Sequence, residues 1–105
     1  MSDDLFNIIY NKSLDLLSRR EHSFKEIKEK LSARFENKEI IESVIEKLSD
    51  NNLVNNTRYA EAYVSARKRK GFGPKKIAFE LSSKGVDEEV TNSVIIEEGD
   101  WESAA

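Results

Sequence analysis

The sequence contains no cysteine, one proline and four glycines. The absence of cysteine excludes disulfide bonds and thiolate metal sites. So few prolines and glycines leave too few turns for a sandwich of short strands, and favour helices joined by short polar links. No stretch approaches the roughly 20 apolar residues of a membrane span, and the acidic start of the chain is unlike a signal peptide. We therefore expect a soluble, cytoplasmic protein without a membrane segment.

Apolar residues recur at three- and four-residue spacing in six segments, which predicts six helices and an all-α fold. The first helix is predicted over residues 4–20, with an apolar stripe formed by Leu5, Ile8, Ile9, Leu16 and Leu17. Residue types that suit helix starts stand at Ser23, Asn37, Pro74 and Asp87, and types that suit helix ends stand at Asn52, Gly71 and Gly85. Ser23 and Glu26 also have the spacing of a capping box.

The second half of the chain resembles the first when the sequence is shifted by 50 residues. Ile27 then coincides with Ile77, and the cap residue Asn37 with Asp87. Agreement at core and cap positions indicates one three-helix unit used twice, and stacked units of this kind make an elongated molecule. The predicted organisation is a first repeat over residues 1–54, a second over 55–98, and a tail over 99–105.

One stretch of the chain has cations but no acids, although the formal net charge is -3. No aspartate or glutamate lies between Glu61 and Glu80. The cations of this stretch are Arg67, Lys68, Arg69, Lys70, Lys75 and Lys76. The first four fall in the last turn of the fourth helix, where the helix dipole favours positive charge, so a solvated helix face is one explanation for them.

Lys75 and Lys76 need another explanation, because they follow Pro74 in the first turn of the fifth helix. A cation at that end of a helix is unfavourable by up to about 1 kcal/mol. Gly71 and Gly73 allow a sharp turn between the two helix ends. We predict a positive pocket, not neutralised by the chain's own acids, that binds an anion: nucleic-acid phosphates or the carboxylates of a partner protein.

Other residues give no sign of catalysis. The string GFGPKK lacks the spacing of a phosphate loop. His22 is the only histidine, has no metal-ligating partner at a suitable spacing, and is expected at the surface or in a helix cap. Phe72 is expected to pack on the core, and Trp101 to be exposed or held against the last helix. We predict no catalytic residue, no metal site, no cofactor and no enzymatic activity.

Two segments carry a more specific likeness, LSRREHSFKEIKEKL and NNLVNNTRYAEAYVSARKRKGFGPKKIAFELSSKGVDEEV. Together they resemble the RecX family, the bacterial regulators of the RecA recombinase, over residues 10–101 of the chain. The positions that carry the resemblance in the second segment are Arg58, Tyr59, Ala60, Tyr63, Arg67, Gly71, Gly73, Pro74, Ile77, Leu81 and Gly85.

The resemblance implies tandem three-helix repeats related to helix-turn-helix units. It also implies a protein that binds the RecA filament on DNA, suppresses its recombinase, ATPase and coprotease activities, and so modulates recombination, DNA repair and the SOS response. RecX-like chains normally carry three repeats, and GDWESAA looks like the opening of a third. We expect a monomer, and binding to DNA that is weak or confined to the filament, because the net charge of -3 disfavours tight binding to bare DNA.

Two alternatives stay open. One is a stand-alone helix-turn-helix protein that reads DNA with its fifth or sixth helix. The other is a helical protein-protein adaptor without a nucleic-acid role.

Overall fold

The structure is a computed structural model that describes residues 2–101, and within that range it contains six helices and no strand. The helices are α1 (Ser2–Arg19), α2 (Phe24–Arg34), α3 (Lys38–Asp50), α4 (Asn56–Arg69), α5 (Pro74–Ser83) and α6 (Glu88–Glu98). The chain divides between Asn55 and Asn56 into two compact units of three helices each. None of the described helices is long and apolar enough to cross a membrane. The predicted all-α fold is confirmed.

In the first unit, α1 and α2 both pack against α3. Its buried core consists of Ile9, Ile27, Leu31, Ile41, Val44, Leu48 and Val54. Removing each such side chain from water contributes about 1.5–3 kcal/mol. The stripe predicted for α1 is right for Ile9 but wrong for Ile8, which is 56% exposed. Successive helical residues point about 100° apart, and on α1 the contact face includes Ile9 while Ile8 points away from it.

The starts of α2 and α3 have the caps predicted from the sequence. Ser23 Oγ accepts the Glu26 N–H at 3.1 Å, and the Ser23 N–H donates to Glu26 Oε1 at 3.2 Å, which completes the capping box. Asn37 Oδ1 accepts the Ile40 N–H at 3.1 Å. Asp87 stands at the cap position of α6, but its side chain makes no capping hydrogen bond.

In the second unit, α6 packs against both α4 and α5. Its buried core consists of Tyr59, Ala60, Val64, Ile77, Leu81, Val86 and Val94, with Phe72 packed against it as expected. Ile77 and Leu81 stand 50 residues after Ile27 and Leu31, which are buried in the first unit. The internal repeat seen in the sequence therefore recurs in the two cores.

Three helices end in one backbone pattern, and each end was predicted. Asn52, Gly71 and Gly85 have φ values of 56°, 95° and 81°, the left-handed conformation. The residue after each donates its N–H to a carbonyl five residues earlier, at 2.8, 3.2 and 3.1 Å respectively. This pattern satisfies helix carbonyls and reverses the chain, and it favours glycine or asparagine at the left-handed position.

Trp101 is held against the last helix, which was one of the two arrangements expected. Its indole Nε1–H donates to the Ile95 carbonyl at 2.8 Å, and the ring packs against the core of the second unit. Gly99, at φ 60°, turns the chain back between α6 and the indole.

The expectation that His22 lies at the surface is wrong, because the side chain is 1% exposed. Its Nε2 is 2.8 Å from Lys30 Nζ, and its Nδ1 is 3.0 Å from the Arg20 carbonyl. An ammonium group can only donate, so Nε2 accepts and Nδ1 carries the hydrogen of a neutral ring. Burial, followed by the charges of Arg20 and Lys30, lowers the pKa of His22 more than the Arg20 carbonyl and Glu26 raise it.

We expect His22 to titrate below its ordinary pKa of 6.5 in the folded chain. Because the unfolded chain binds the proton more readily, the contribution of the neutral ring to the free energy of unfolding is complete above pH 6.5 and is lost as the pH falls through the folded-state pKa. Proton NMR measures this pKa directly, because the chain has one histidine.

Lys30→Gln should raise that pKa, whereas Lys28→Gln, on the same helix, should leave it unchanged. A wild-type midpoint at or above 6.5 would contradict the burial of the ring.

Candidate anion-binding site

The turn over residues 70–73 joins α4 to α5 and brings the end of one helix to the start of the next. Pro74 is the first residue of α5, as predicted, and Gly73 is its N-cap. Only Gly71 requires glycine there: Gly73 is extended, with φ -85°, and a Cβ on it would meet nothing within 4 Å. Gly85, the other predicted turn residue, lies at the opposite end of α5.

The start of α5 has no side-chain cap and no acid in its first turn. The equivalent positions of the first unit, 50 residues earlier, are Ser23 and Glu26, which form the capping box of α2. In the second unit they are Gly73 and Lys76. The first turn of α5 therefore presents backbone N–H groups and cations where α2 is capped and has an acid, an arrangement that attracts an external anion.

Arg67 is not part of an open positive pocket, because Glu80 neutralises it. The guanidinium donates from Nε to Glu80 Oε1 at 3.0 Å and from Nη2 to Oε2 at 2.7 Å, and it stacks on the Phe72 ring at 3.8 Å. Tyr63 Oη donates to the same carboxylate at 2.9 Å. These contacts join α4 to α5 with a bidentate ion pair whose side chains are 24% and 20% exposed.

The carboxylate of Glu80 is held in its charged form by this arrangement. The hydrogen bonds from Arg67 come first among the causes that lower its pKa, and the Tyr63 hydroxyl and the charge of Lys76 act in the same direction. Burial of the carboxylate opposes them. The hydrogen bond to Glu80 in turn raises the pKa of Arg67.

Lys68 is also used inside the unit. Its Nζ donates to the Gly99 carbonyl at 2.5 Å and lies 5.2 Å from the centre of the Trp101 ring. The contact ties the end of α4 to the end of α6 and covers a helix carbonyl, which a cation does favourably. The prediction that the chain's own acids leave these cations unneutralised is therefore wrong for Arg67, which pairs with Glu80, and Lys68 is held by a backbone carbonyl.

The other four cations are exposed. Within residues 2–101, the guanidinium of Arg69 bonds only to the Ser65 hydroxyl, at 3.5 Å. Lys76 Nζ lies 3.9 Å from Glu80 Oε2, with the lysine side chain 57% exposed. The side-chain amines of Lys70 and Lys75 have no ion pair or hydrogen bond with any residue in the range 2–101. The structure thus narrows the candidate site to the two helix ends around Gly73, with Lys70 and Lys75 as its uncompensated charges.

Glu80 and Tyr63 were missed as members of this region, although the sequence carried a signal for both. Tyr63 precedes Arg67 by four residues on α4, and Lys76 precedes Glu80 by four residues on α5, so each pair shares a helix face.

A metal has no comparable site, because the described part of the chain holds no grouping of three or more possible acidic, histidine or cysteine ligands.

We expect Glu80→Gln to lower the temperature at which the second unit unfolds. The substitution leaves the half-buried guanidinium of Arg67 without its counter-charge, which costs more than loss of an exposed ion pair. Fluorescence of Trp101, the only tryptophan, reports unfolding of this unit. Glu97→Gln on α6 is the matched control and should leave the transition in place.

The pH dependence of the same transition supplies a second test. The folded-state pKa of Glu80 is lowered, so the charged carboxylate adds to the free energy of unfolding above the ordinary glutamate pKa of 4.5. This contribution is lost as the pH falls through the folded-state pKa. The acid-side loss of stability should therefore be smaller in Glu80→Gln than in the wild type. Equal losses would show that the carboxylate is not held as described.

Comparison with known proteins identifies both units. Residues 10–48 match the family model of the first three-helix domain of RecX, and residues 55–95 match that of the second. The chain is 39% identical to the regulatory protein RecX of Pseudomonas fluorescens strain SBW25 over 83 residues, which cover 79% of this chain and 54% of the relative. It is 35% identical to the RecX protein of Pseudomonas fluorescens strain Pf-5 over 100 residues, covering 94% and 64% of the two chains.

A solved structure of another RecX protein has a similar fold. The crystal structure of RecX from Lactobacillus salivarius superposes with a TM-score of 0.85 at 34% identity, over 95% of this chain and 65% of that one. This chain thus spans between about half and two thirds of the length of these relatives. On the two matched domains and this structural likeness, the chain belongs to the RecX family of regulatory proteins.

Proposed function

We propose that the chain is a regulator that binds the RecA recombinase filament on DNA. It inhibits the recombinase, ATPase and coprotease activities of the filament and so modulates recombination, DNA repair and the SOS response in the cytoplasm. It does so as a monomer, through its two repeats over residues 1–54 and 55–98, and without a catalytic group of its own. Membership of the RecX family supports the regulatory role.

The start of α5 is the observation that carries the proposal. Its first turn has no cap and no acid, and Lys75 and Lys76 are exposed there. A helix start in this state favours a negative charge from outside the chain, because its N–H groups and the helix dipole both attract one. Lys70, just after the end of α4, adds a further cation without a side-chain partner among the described residues. A recombinase filament on DNA offers carboxylates and phosphates to such a site.

The alternative of a stand-alone DNA-binding protein is less well supported. A helix that reads DNA must approach the phosphates closely, and α6 exposes four acids, Glu88, Glu89, Glu97 and Glu98. The net charge of -3 also limits the counterion release that drives non-specific binding. Contact with DNA is therefore proposed only within the filament, where the protein hinders strand exchange and subunit turnover by occupying space.

We expect the double substitution Lys70→Glu, Lys75→Glu to weaken inhibition of ATP hydrolysis by RecA filaments on single-stranded DNA by roughly tenfold or more. Both lysines lack partners within the described residues, so reversing their charges removes attraction to the filament without breaking an internal ion pair. The difference from the wild type should shrink as the salt concentration rises, because exposed charges are screened.

The matched control is Arg34→Glu, Lys38→Glu. It produces the same change in net charge on exposed cations at the end of α2 and the start of α3. If the two double variants inhibit equally well, the site around Gly73 has no role in binding. If the wild type does not bind the filament at all, the proposed function is wrong.

A further inference from the structure

The second unit exposes an aromatic side chain where the first unit has a charge. Phe79 on α5 is 76% exposed, and the residue 50 positions earlier is Glu29, an exposed acid on α2. Helix faces that remain in water normally carry charged residues, as α2 does here. Exposed aromatics in place of charges are typical of surfaces that become buried against a partner.

Phe79 stands on the rim of a groove of about 260 Å³ between α5 and α6, which Ala78 and Asn92 also line. Their counterparts in the first unit are Lys28 and Glu42, whose side chains form an ion pair of 3.6 Å between α2 and α3. The first unit therefore spans this face with a salt bridge. The second unit has no charge at either position, so its groove stays open.

Among the residues that line the groove, Thr91 has a buried hydroxyl without a partner in the described part of the chain. Thr91 is 3% exposed, and within residues 2–101 its Oγ1 makes no hydrogen bond. Buried helical hydroxyls usually donate to a carbonyl one turn earlier, as Ser13 does to Ile9 at 2.9 Å. The first unit has the apolar Ile41 at the position of Thr91. Thr91 lines the groove, and a ligand that displaces the atoms covering its hydroxyl would supply the missing hydrogen-bond partner.

Along α5, the groove lies about one helical turn from the candidate anion-binding site. Lys75 is four residues before Phe79, so the two lie one turn apart on the same face of the helix. Lys75 is exposed, and its side-chain amine has no ion pair or hydrogen bond with the described residues. A ligand that lies along this face meets a positive charge first and then the aromatic ring and the groove.

We propose that this face of the second unit binds a segment of an acidic protein partner. The segment places an apolar side chain against Phe79 and Ala78, offers a polar group to the hydroxyl of Thr91, and sets a carboxylate about one helical turn away against Lys75. The inference rests on the proposed function, because it names the chemistry of the partner at that site and chooses protein over nucleic acid.

The composition of the groove favours protein over single-stranded DNA. A nucleobase can stack on an exposed aromatic ring beside lysines, which is how many single-strand binders work. Here, however, the opposite rim carries Glu88, and the lining includes the side chains of Ala78 and Val86. An acid repels phosphates and carboxylates alike, but a protein segment can set its carboxylate against Lys75, one helical turn away, and present only aliphatic atoms to the apolar lining beside Glu88.

The test uses the whole chain and three variants of the groove. Phe79→Glu restores the charge that the first unit has, and the double substitution Ala78→Lys, Asn92→Glu installs its salt bridge across the groove. Thr91→Val removes only the hydroxyl. Ile96→Glu is the matched control, because Ile96 is also 76% exposed and is not among the residues that line the groove. Circular dichroism checks that each variant keeps its helices.

Three probes separate the possible partners. The first is a synthetic amphipathic peptide with glutamates one helical turn from leucines, the second is oligodeoxythymidine, and the third is the RecA filament assembled on that oligonucleotide. We expect the peptide to shift the NMR signals of Phe79, Thr91 and Lys75. We expect Phe79→Glu, and the double substitution Ala78→Lys, Asn92→Glu, to weaken binding of both the peptide and the filament about tenfold or more. Thr91→Val should weaken binding of both by a smaller factor.

Other results would overturn the inference. The inference is wrong if the peptide leaves the signals of these three residues unchanged. It is also wrong if Ile96→Glu weakens binding as much as Phe79→Glu does. If oligodeoxythymidine alone binds through Phe79 as strongly as the peptide does, the face is a DNA site. If Phe79→Glu binds the filament like the wild type while Lys70→Glu, Lys75→Glu does not, the groove is wrong and the proposed function stands. If the peptide occupies the groove but the filament does not bind, the groove stands and the proposed function fails.

Discussion

The carboxylate of Glu80 is the constraint on which the second unit's surface depends. Glu80 lies on α5, and its carboxylate accepts hydrogen bonds from the guanidinium of Arg67 and the hydroxyl of Tyr63, which both lie on α4. The contact fixes the end of one helix against the other at a point where the connecting turn is only residues 70–73. Without this contact, the half-buried guanidinium would have no counter-charge. The resulting loss of stability would be larger than the loss from breaking an exposed ion pair.

This ion pair also separates the cations of the basic run by their role. Arg67 and Lys68 stabilise the unit, one through Glu80 and the other through the Gly99 carbonyl. Lys70 and Lys75 stay uncompensated within the described residues, on either side of an uncapped helix start. A count of positive charges in the sequence overstates the site, because some of the charge is neutralised inside the fold.

The two repeats have separate cores with matching positions, but their surfaces differ. In each case the second unit lacks a stabilising interaction that the first unit has. Where the first unit has a capping box on α2 and an ion pair between α2 and α3, the second has an uncapped helix start and an open groove. Each difference gives up a local stabilising interaction of the kind worth a few tenths of a kcal/mol to about 1 kcal/mol. Because the same scaffold appears twice, the first unit serves as an internal reference for which surface features the fold itself does not need.

Local signals made much of the fold predictable from the sequence. The caps at Ser23 and Asn37 and the left-handed ends at Asn52 and Gly71 depend only on residues within one or two helical turns. The 50-residue repeat also indicated matching core positions, such as Ile27 with Ile77 and Leu31 with Leu81, which are buried in both units.

Features that depend on how helices pack against one another were not predictable in the same way. Arg67 meets Glu80 across 13 residues of sequence, so their ion pair requires knowledge of how α4 crosses α5. The burial of His22 likewise depends on packing within the first unit, which a lone histidine beside a cap does not reveal. Phe79 could have been flagged, since its counterpart is Glu29, but only the structure shows that the groove beside it is open.

Zero-length carbodiimide cross-linking of the chain to RecA filaments, followed by peptide mass spectrometry, tests the central claim most directly. The reagent joins a lysine amine to a carboxylate only where the two are in contact. The account predicts cross-links from Lys70 and Lys75 to recombinase carboxylates and few from Lys68, whose amine is bound to the Gly99 carbonyl. Cross-links confined to lysines of the first unit, or equally frequent at Lys68 and Lys75, would contradict it.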